Sequence, residues 1–263
     1  MAQLTYSYFT PVASTGLKYD LCYDYVISCR AFDEIPFGVG VAKVTGVDFQ
    51  VRLPQQNFAT LVFSADLVAS NLINGKINGV AITQVTFTST HLNTMNLIAA
   101  AIELTDANVT ATVGGANDRT ISIQSANGFA ALAADWLVTL GASQATVAIT
   151  NTTSDTFYGI ALRQQNKMNV NTPIGSAGPT PYFVDDCVNV ETQGSVYVQP
   201  EDAVSSDGPV YWRFKDNGAG KLRGQFRSDS DGGTAILIAS SVARWLGSST
   251  GSGTYAILQI VLP

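Results

Sequence analysis

The chain has little of what catalysis, metal binding or secretion requires. Its 263 residues contain one histidine, His91, and three cysteines, Cys22, Cys29 and Cys187. Charged residues make up 13%, about half of the ~25% usual in soluble domains. A Ser-His-Asp or Cys-His arrangement would have to use His91. His91 stands where a helix is expected to begin, and no G-x-S-x-G elbow surrounds any serine, so it reads as a polar first-turn residue. The cysteines are odd in number and lack metal spacing; they fit buried thiols of a protein assembled in a reducing cytoplasm. The opening Met1-Ala2-Gln3-Leu4-Thr5 has neither the basic nor the apolar region of a signal peptide. No run approaches the ~18 apolar residues of a membrane span. A net charge of −6 with scattered basic residues argues against nucleic acid as the main partner. The densest basic group, Arg213, Lys215, Lys221, Arg223 and Arg227, is interleaved with Asp216 and Asp229, and a solvated hairpin surface is expected there.

Motifs that echo known chemistry break down on inspection. Asp229-Ser230-Asp231-Gly232 begins like a calcium loop, but the position that needs an acidic ligand is Ser240, so a polar turn is expected. Gly218-Ala219-Gly220-Lys221 lacks the spacing of a phosphate loop and the Ser/Thr after lysine. Asp33-Glu34 and Asp185-Asp186 are adjacent carboxylates, and strand neighbours point to opposite faces; turn or surface roles are expected. No catalytic, cofactor-binding or metal residue is assigned, no cofactor is implied, and the chain is expected not to be an enzyme.

What is present is β-structure. Residues 39–44, 157–162, 188–190, 195–198 and 255–261 are short and rich in β-branched and aromatic residues, punctuated by Gly, Pro, Asn and Asp. The middle differs. Asn78-Gly79 predicts a type I′ hairpin joining 71–77 to 80–88. A helix follows, capped by Ser89 or Thr90, with Leu92, Met95, Ile98 or Ala99, and Ile102 at helical spacing. Strands are then expected at 109–113 and 120–124, with a last strand pair at 136–140 and 145–149. The result is a β-β-α-β-β-β unit over 58–150, with one helix covering a small sheet. Its borders, 53–57 and 151–155, are turn-rich. Residues 1–57 and 151–263 are therefore expected to form one β domain carrying 58–150 as an insertion. Trp212 and Trp245 are expected in the core, and 248–253 forms a flexible tip.

The order of four motifs resembles the head decoration (cement) proteins of tailed bacteriophages. They are Glu34-Ile35-Pro36-Phe37-Gly38-Val39-Gly40-Val41; Phe157-Tyr158-Gly159-Ile160-Ala161; the Val-Asp-Asp, Val-x-Val and Gly-x-Val-x-Val run of 182–198; and Ala243-Arg244-Trp245-Leu246 before a Gly/Ser tip and a final apolar strand. The inserted stretch resembles a small α+β module of other phage structural proteins, tail sheath-like ones included. The resemblance implies a mainly β fold: a β-barrel or jelly-roll-like decoration domain with an inserted small α+β domain. It implies a protein that binds the outer surface of the mature head and stabilises capsomer junctions. The implied partners are the major capsid protein and further copies of the chain, as a dimer or trimer, with no nucleic acid and no membrane. The implied location is the outside of the capsid after synthesis in the host cytoplasm. The family has no catalytic residues to transfer. Aromatics with few charges suit interface cores, and the candidate interface residues are Tyr6, Tyr8, Phe9, Pro36, Phe37, Pro179 and Tyr182. Two rival readings stand beside this one. One is a tail or baseplate component. The other is a carbohydrate-binding protein or glycan hydrolase drawing on Asp33, Asp185 and Asp186.

Overall fold

The computed structural model describes residues 15–19, 24–125, 128–131, 133–163, 181–218, 220–251 and 253–261. Tyr6, Tyr8, Phe9, Pro179 and Cys22 lie outside the described residues. The chain divides into two compact units, residues 1–54 with 156–263, and residues 55–155. In chain order the first unit opens with β1 (Tyr25–Ala31), β2 (Gly40–Lys43) and β3 (Gln50–Arg52). The second holds β4 (Phe58–Phe63), β5 (Leu72–Asn74), β6 (Lys76–Ile77), β7 (Val80–Ala81), β8 (Val85–Thr86), α1 (His91–Thr105), β9 (Val109–Gly114), β10 (Thr120–Ser125), β11 (Leu137–Thr139) and β12 (Val147–Thr152). The first resumes with β13 (Phe157–Ala161), β14 (Cys187–Val198), β15 (Val210–Arg213), β16 (Phe226–Arg227), β17 (Ala235–Ile238), β18 (Ala243–Trp245) and β19 (Ala256–Val261).

In the first unit β1, β3, β2, β13 and β14 pair in that order, and β14 closes back onto β1 as a five-stranded barrel. All these pairings are antiparallel except β1–β3. Alternate residues face inward: Cys29 and Ala31 from β1, Val41 from β2, Val51 from β3, and Val188 and Val190 from β14 share one core. β14 serves two structures. Residues 187–193 pair with β1, whereas 193–198 pair with β19. The two strands expected at 188–190 and 195–198 are thus one. A second core lies between β14-β19-β18 and β16-β15-β17. Phe157, Trp212, Phe226 and Trp245 meet there edge to face, with centroids 5.4–6.4 Å apart, an arrangement that adds to simple burial. Both tryptophans are core residues, as expected. Cys29 is buried, but Cys187 is exposed, because it opens β14 at the sheet margin.

Gly159 shows how tightly the barrel wall is built. A Cβ there would lie 2.4 Å from the Glu191 carbonyl oxygen, a backbone atom that cannot turn aside. Gly159→Ala is expected to destabilise the protein by about 1–3 kcal/mol. Chemical denaturation checks this, and an unchanged midpoint would show that β13 can shift without cost.

In the second unit β12, β4, β10 and β9 form an antiparallel sheet, and β11, β5 and β8 a smaller one. Asn78 and Gly79 have φ of +54° and +77°, as a type I′ turn requires, and join Ile77 to Val80. Thr90 caps α1 by accepting the Asn93 N–H, 3.2 Å away. Met95, Ile98, Ala99 and Ile102 are buried as the periodicity predicts, but Leu92 is exposed. Thr94 takes the inward place in the first turn, accepting from the Thr88 N–H and donating to the Thr90 carbonyl. Two further expectations are corrected. β4, assigned no strand from sequence, lies inside the larger sheet. The segments 136–140 and 145–149 do not pair with each other: β11 joins β5 and β12 joins β4. Asn71 causes the divergence by donating its side-chain amide to the carbonyls of Leu140 and Ser143, which pins the connection between them. Among the described residues, no helix is long and apolar enough to cross a membrane.

Candidate functional site

The basic group expected on a solvated surface is instead half buried. Arg213 is fully enclosed and Arg227 nearly so. Arg227 stands opposite Tyr211, two residues before Arg213, on the paired strands β15 and β16, and both side chains are directed at Glu201, whose side chain is also buried. Arg213 grips both Glu201 oxygens at 2.5 and 2.6 Å and donates to Asp231 at 2.6 Å. Arg227 donates to Glu201 at 2.7 Å and to Asp229 at 2.5 Å. Each buried guanidinium therefore has carboxylates on more than one side, as charges withdrawn from water require. Asp229 and Asp231, read as a polar turn, do form one, with the Ser230 carbonyl accepting the Gly233 N–H. They also supply the cluster's outer anions. This is a structural clasp in which acids of the same chain, with the Thr234 hydroxyl at 2.6 Å from Arg213, take up the guanidinium donors.

The clasp sets an acid limit on stability. The Asn217 amide and then the Arg213 guanidinium hold Asp231 far below the usual carboxylate range. The Asp231 N–H and then Arg227 lower Asp229. Both are depressed in the folded state. Their contribution is therefore present above the ordinary value of 3.8 and is lost as pH falls through the lower folded values. Tm is expected to hold from neutrality to about pH 5 and to fall below about pH 4. Asp231→Asn should lower Tm at neutral pH and flatten the acid limb. An equally steep limb in the variant would assign acid sensitivity elsewhere.

The surface suited to recognition lies where β1 ends and β3 and β14 begin. Three loops are tied together there by backbone bonds. Arg30 N–H donates to the Phe49 carbonyl, Phe32 N–H to Val51, Ala31 N–H to Asp186, and Asp185 N–H to Ala31, at 2.7–2.9 Å. On these loops Phe32, Phe49 and Phe183 are 45%, 66% and 52% exposed, with Val47 and Val184 beside them in sequence and also exposed. Scattered apolar side chains need no explanation, but several large ones on adjoining loops do. Phe49 also sits at φ +53°, a left-handed conformation that bulky residues rarely adopt. Such a cost persists where surroundings impose it, most often at sites of function. The flanking residues are mostly acidic: Asp33, Glu34, Asp48, Asp185 and Asp186 against Arg30. Arg30 is already paired with Asp185 at 2.7 Å. The result is a set of exposed aromatics on loops tied together by backbone bonds, flanked in sequence mainly by acids.

The structure brings Pro36, Phe37 and Tyr182 together, but not as one interface. Residues 35 and 182 form a two-bond bridge, and the Phe37 and Tyr182 rings meet edge to face at 5.1 Å. Phe37 and Tyr182 are corrected to core residues. Tyr182 is fully buried, its hydroxyl donates to the Leu162 carbonyl at 2.6 Å, and burial pushes that hydroxyl up to about 12. Their rings hold the 182–186 loop in place and are covered within the chain. Pro36 is half buried on a cleft of about 280 Å³ shared with Leu222, Arg223 and Tyr255. Phe32, Phe49, Phe183 and Val184 were missed from sequence. The available signal was an apolar residue beside aspartate in a turn, as in Phe32-Asp33, Asp48-Phe49 and Val184-Asp185.

The acids of the rival glycosidase reading have structural duties. Asp33 accepts the Leu53 N–H and Asp186 the Phe183 N–H, while Asp185 pairs with Arg30. His91 accepts the Leu67 N–H at 2.9 Å, fastening a loop to the start of α1. The start of the tip expected to be flexible is anchored, since Ser249 and Val204 exchange backbone bonds.

No curated protein matches this chain. A chain in the solved structure "The capsid of Myoviridae Phage XM1" is similar at 12% identity and a TM-score of 0.44, over 98% of this chain and 97% of its own. The family model described as "Structural cement protein (E217 gp24/Pam3 gp6)" matches residues 103–261, from within α1 to the end of β19. The motif at 34–41 lies outside that match, whereas the other three lie inside it. With most of its length matched, the chain belongs to the phage structural cement protein family, and its role is that of a capsid decoration protein.

Proposed function

We propose that this protein binds the outer surface of the mature head and stabilises the junctions between capsomers, using the exposed aromatics at the end of the barrel. The observation that carries the reading is the exposure of Phe32, Phe49 and Phe183 on loops tied to one another by backbone bonds. Exposed aromatics on a rigid support make good anchors, because little freedom is lost when they are buried. Contacts made only in the expanded shell stabilise that shell by mass action. The flanking acids call for basic residues around the receiving pocket. The protein acts without catalysis, as a homo-oligomer made in the host cytoplasm. Residues 58–150 serve as a module inserted in the decoration domain of 1–57 and 151–263, a division that the two compact units support.

The test is to mix purified protein with undecorated expanded heads, count bound copies, and heat the heads with and without it. Saturable binding at a lattice-compatible ratio with a raised disruption temperature is the expected result. Absence of binding to heads, with association to tails instead, would overturn it.

A further inference from the structure

The larger sheet of the second unit has two edges, and they are treated differently. None of its strands, β12, β4, β10 or β9, contains a charged residue. At the β9 edge two outward N–H groups are engaged: Val109 donates to the Asp106 carbonyl and Ala111 to the Glu103 carboxylate of α1, at 3.0 and 2.9 Å. At the β12 edge the turn at 133–135 lies near the strand and the Gln56 side chain donates to Asn151 Oδ1 at 2.7 Å, but no side chain or loop among the described residues takes up the outward backbone groups of Val147, Ile149 and Asn151. The Ser64 N–H donates to the Thr146 carbonyl, and the register pairs Ala148 with Val62 and Thr150 with Thr60. Antiparallel bonding alternates along a strand, so Ala148, Thr150 and Thr152 bond to β4. The N–H and C=O groups of Val147, Ile149 and Asn151 therefore point away from the sheet.

Exposed edges usually carry lysine, proline or a bulge that discourages another strand. β12 reads Val-Ala-Ile-Thr-Asn-Thr, with none of these guards. We infer that β12 pairs antiparallel with β12 of a second copy about a two-fold axis, joining two four-stranded sheets into one. Three features favour an identical partner. The chain carries a net charge of −6, so copies meet most readily where neither contributes charge. A two-fold contact must be self-complementary, and centring it on Ile149 sets Val147 opposite Asn151 of the second copy. Every outward backbone donor then faces an outward acceptor, the geometry of strand addition. The same register places Ala148 opposite Thr150 of the second copy, and both side chains are exposed.

That register makes the pairing testable on the full chain in solution, without heads, so the result is independent of the capsid-binding proposal. Sedimentation equilibrium is expected to show a monomer–dimer equilibrium. Amide exchange at Val147, Ile149 and Asn151 should slow as concentration rises. Ala148→Asp with Thr150→Asp sets like charges opposite each other twice and should raise the dimer Kd on the order of tenfold or more. Ala148→Asp with Thr150→Lys sets opposite charges there and should restore dimerisation. Both changes lie on exposed side chains, so thermal unfolding should confirm that each variant is folded. A monomer at all concentrations, or a dimer indifferent to both pairs of substitutions, would overturn the inference. So would slowed exchange that appears only on heads, which would assign the edge to a strand of the capsid protein.

Discussion

Arg213→Met is expected to destabilise this cement protein by about 3–5 kcal/mol, the range found when one member of a buried ion pair is removed. Methionine fills much of the space of the arginine stem and leaves Glu201 without its bidentate partner in a setting where the carboxylate is almost fully enclosed. Arg227 remains in contact with Glu201, but one guanidinium then faces Glu201, Asp202, Asp229 and Asp231 together. Chemical denaturation measures the loss. The informative control is Arg213→Met combined with Glu201→Gln. Removing the stranded charge should recover a large part of the stability, because the penalty comes from burying an unpaired anion. If the double variant is no more stable than the single one, the clasp acts through packing and the electrostatic account fails.

Phe49→Asn is expected to separate stability from binding. Asparagine adopts the left-handed backbone far more readily than phenylalanine, so Tm should hold or rise. Loss of a central aromatic anchor should weaken head binding by about 2 kcal/mol, roughly thirtyfold. Phe183→Ser should weaken binding comparably, with little effect on folding, because the ring is exposed and the loop is held by Tyr182 and Asp186. Arg244→Ser, remote in the topology on β18, is the control expected to bind normally. Copy number per head as a function of protein concentration gives the affinities. Wild-type binding by both phenylalanine variants would remove the barrel end from the interface while leaving the family assignment untouched.

Local signals in the sequence translated directly into structure. Asn78-Gly79 could adopt the positive φ of a type I′ turn at low cost, and the hairpin formed there. Thr90 preceded a run with helical spacing, and α1 begins one residue later. The motif order at 157–161, 182–198 and 243–246 led to the family.

Other features depended on where distant segments meet. Arg213 and Arg227 looked like surface charge, since their acids come from two separate segments, Glu201 from one and Asp229 with Asp231 from a single turn, and converge only once β15 pairs with β16. Phe37 and Tyr182 looked available to a partner, yet their rings bury one another across 145 positions of chain. Phe32, Phe49 and Phe183 carried no reading from sequence; the parallel pairing of β1 with β3 and the bridge at 35–182 draw their loops together and leave the rings outside. Composition, turn chemistry and periodicity act over a few residues, so the sequence alone determined the class of protein, the hairpin and the helix. Charge pairing, barrel closure and the face left open depend on contacts between residues far apart in the chain, and only the tertiary structure decided those.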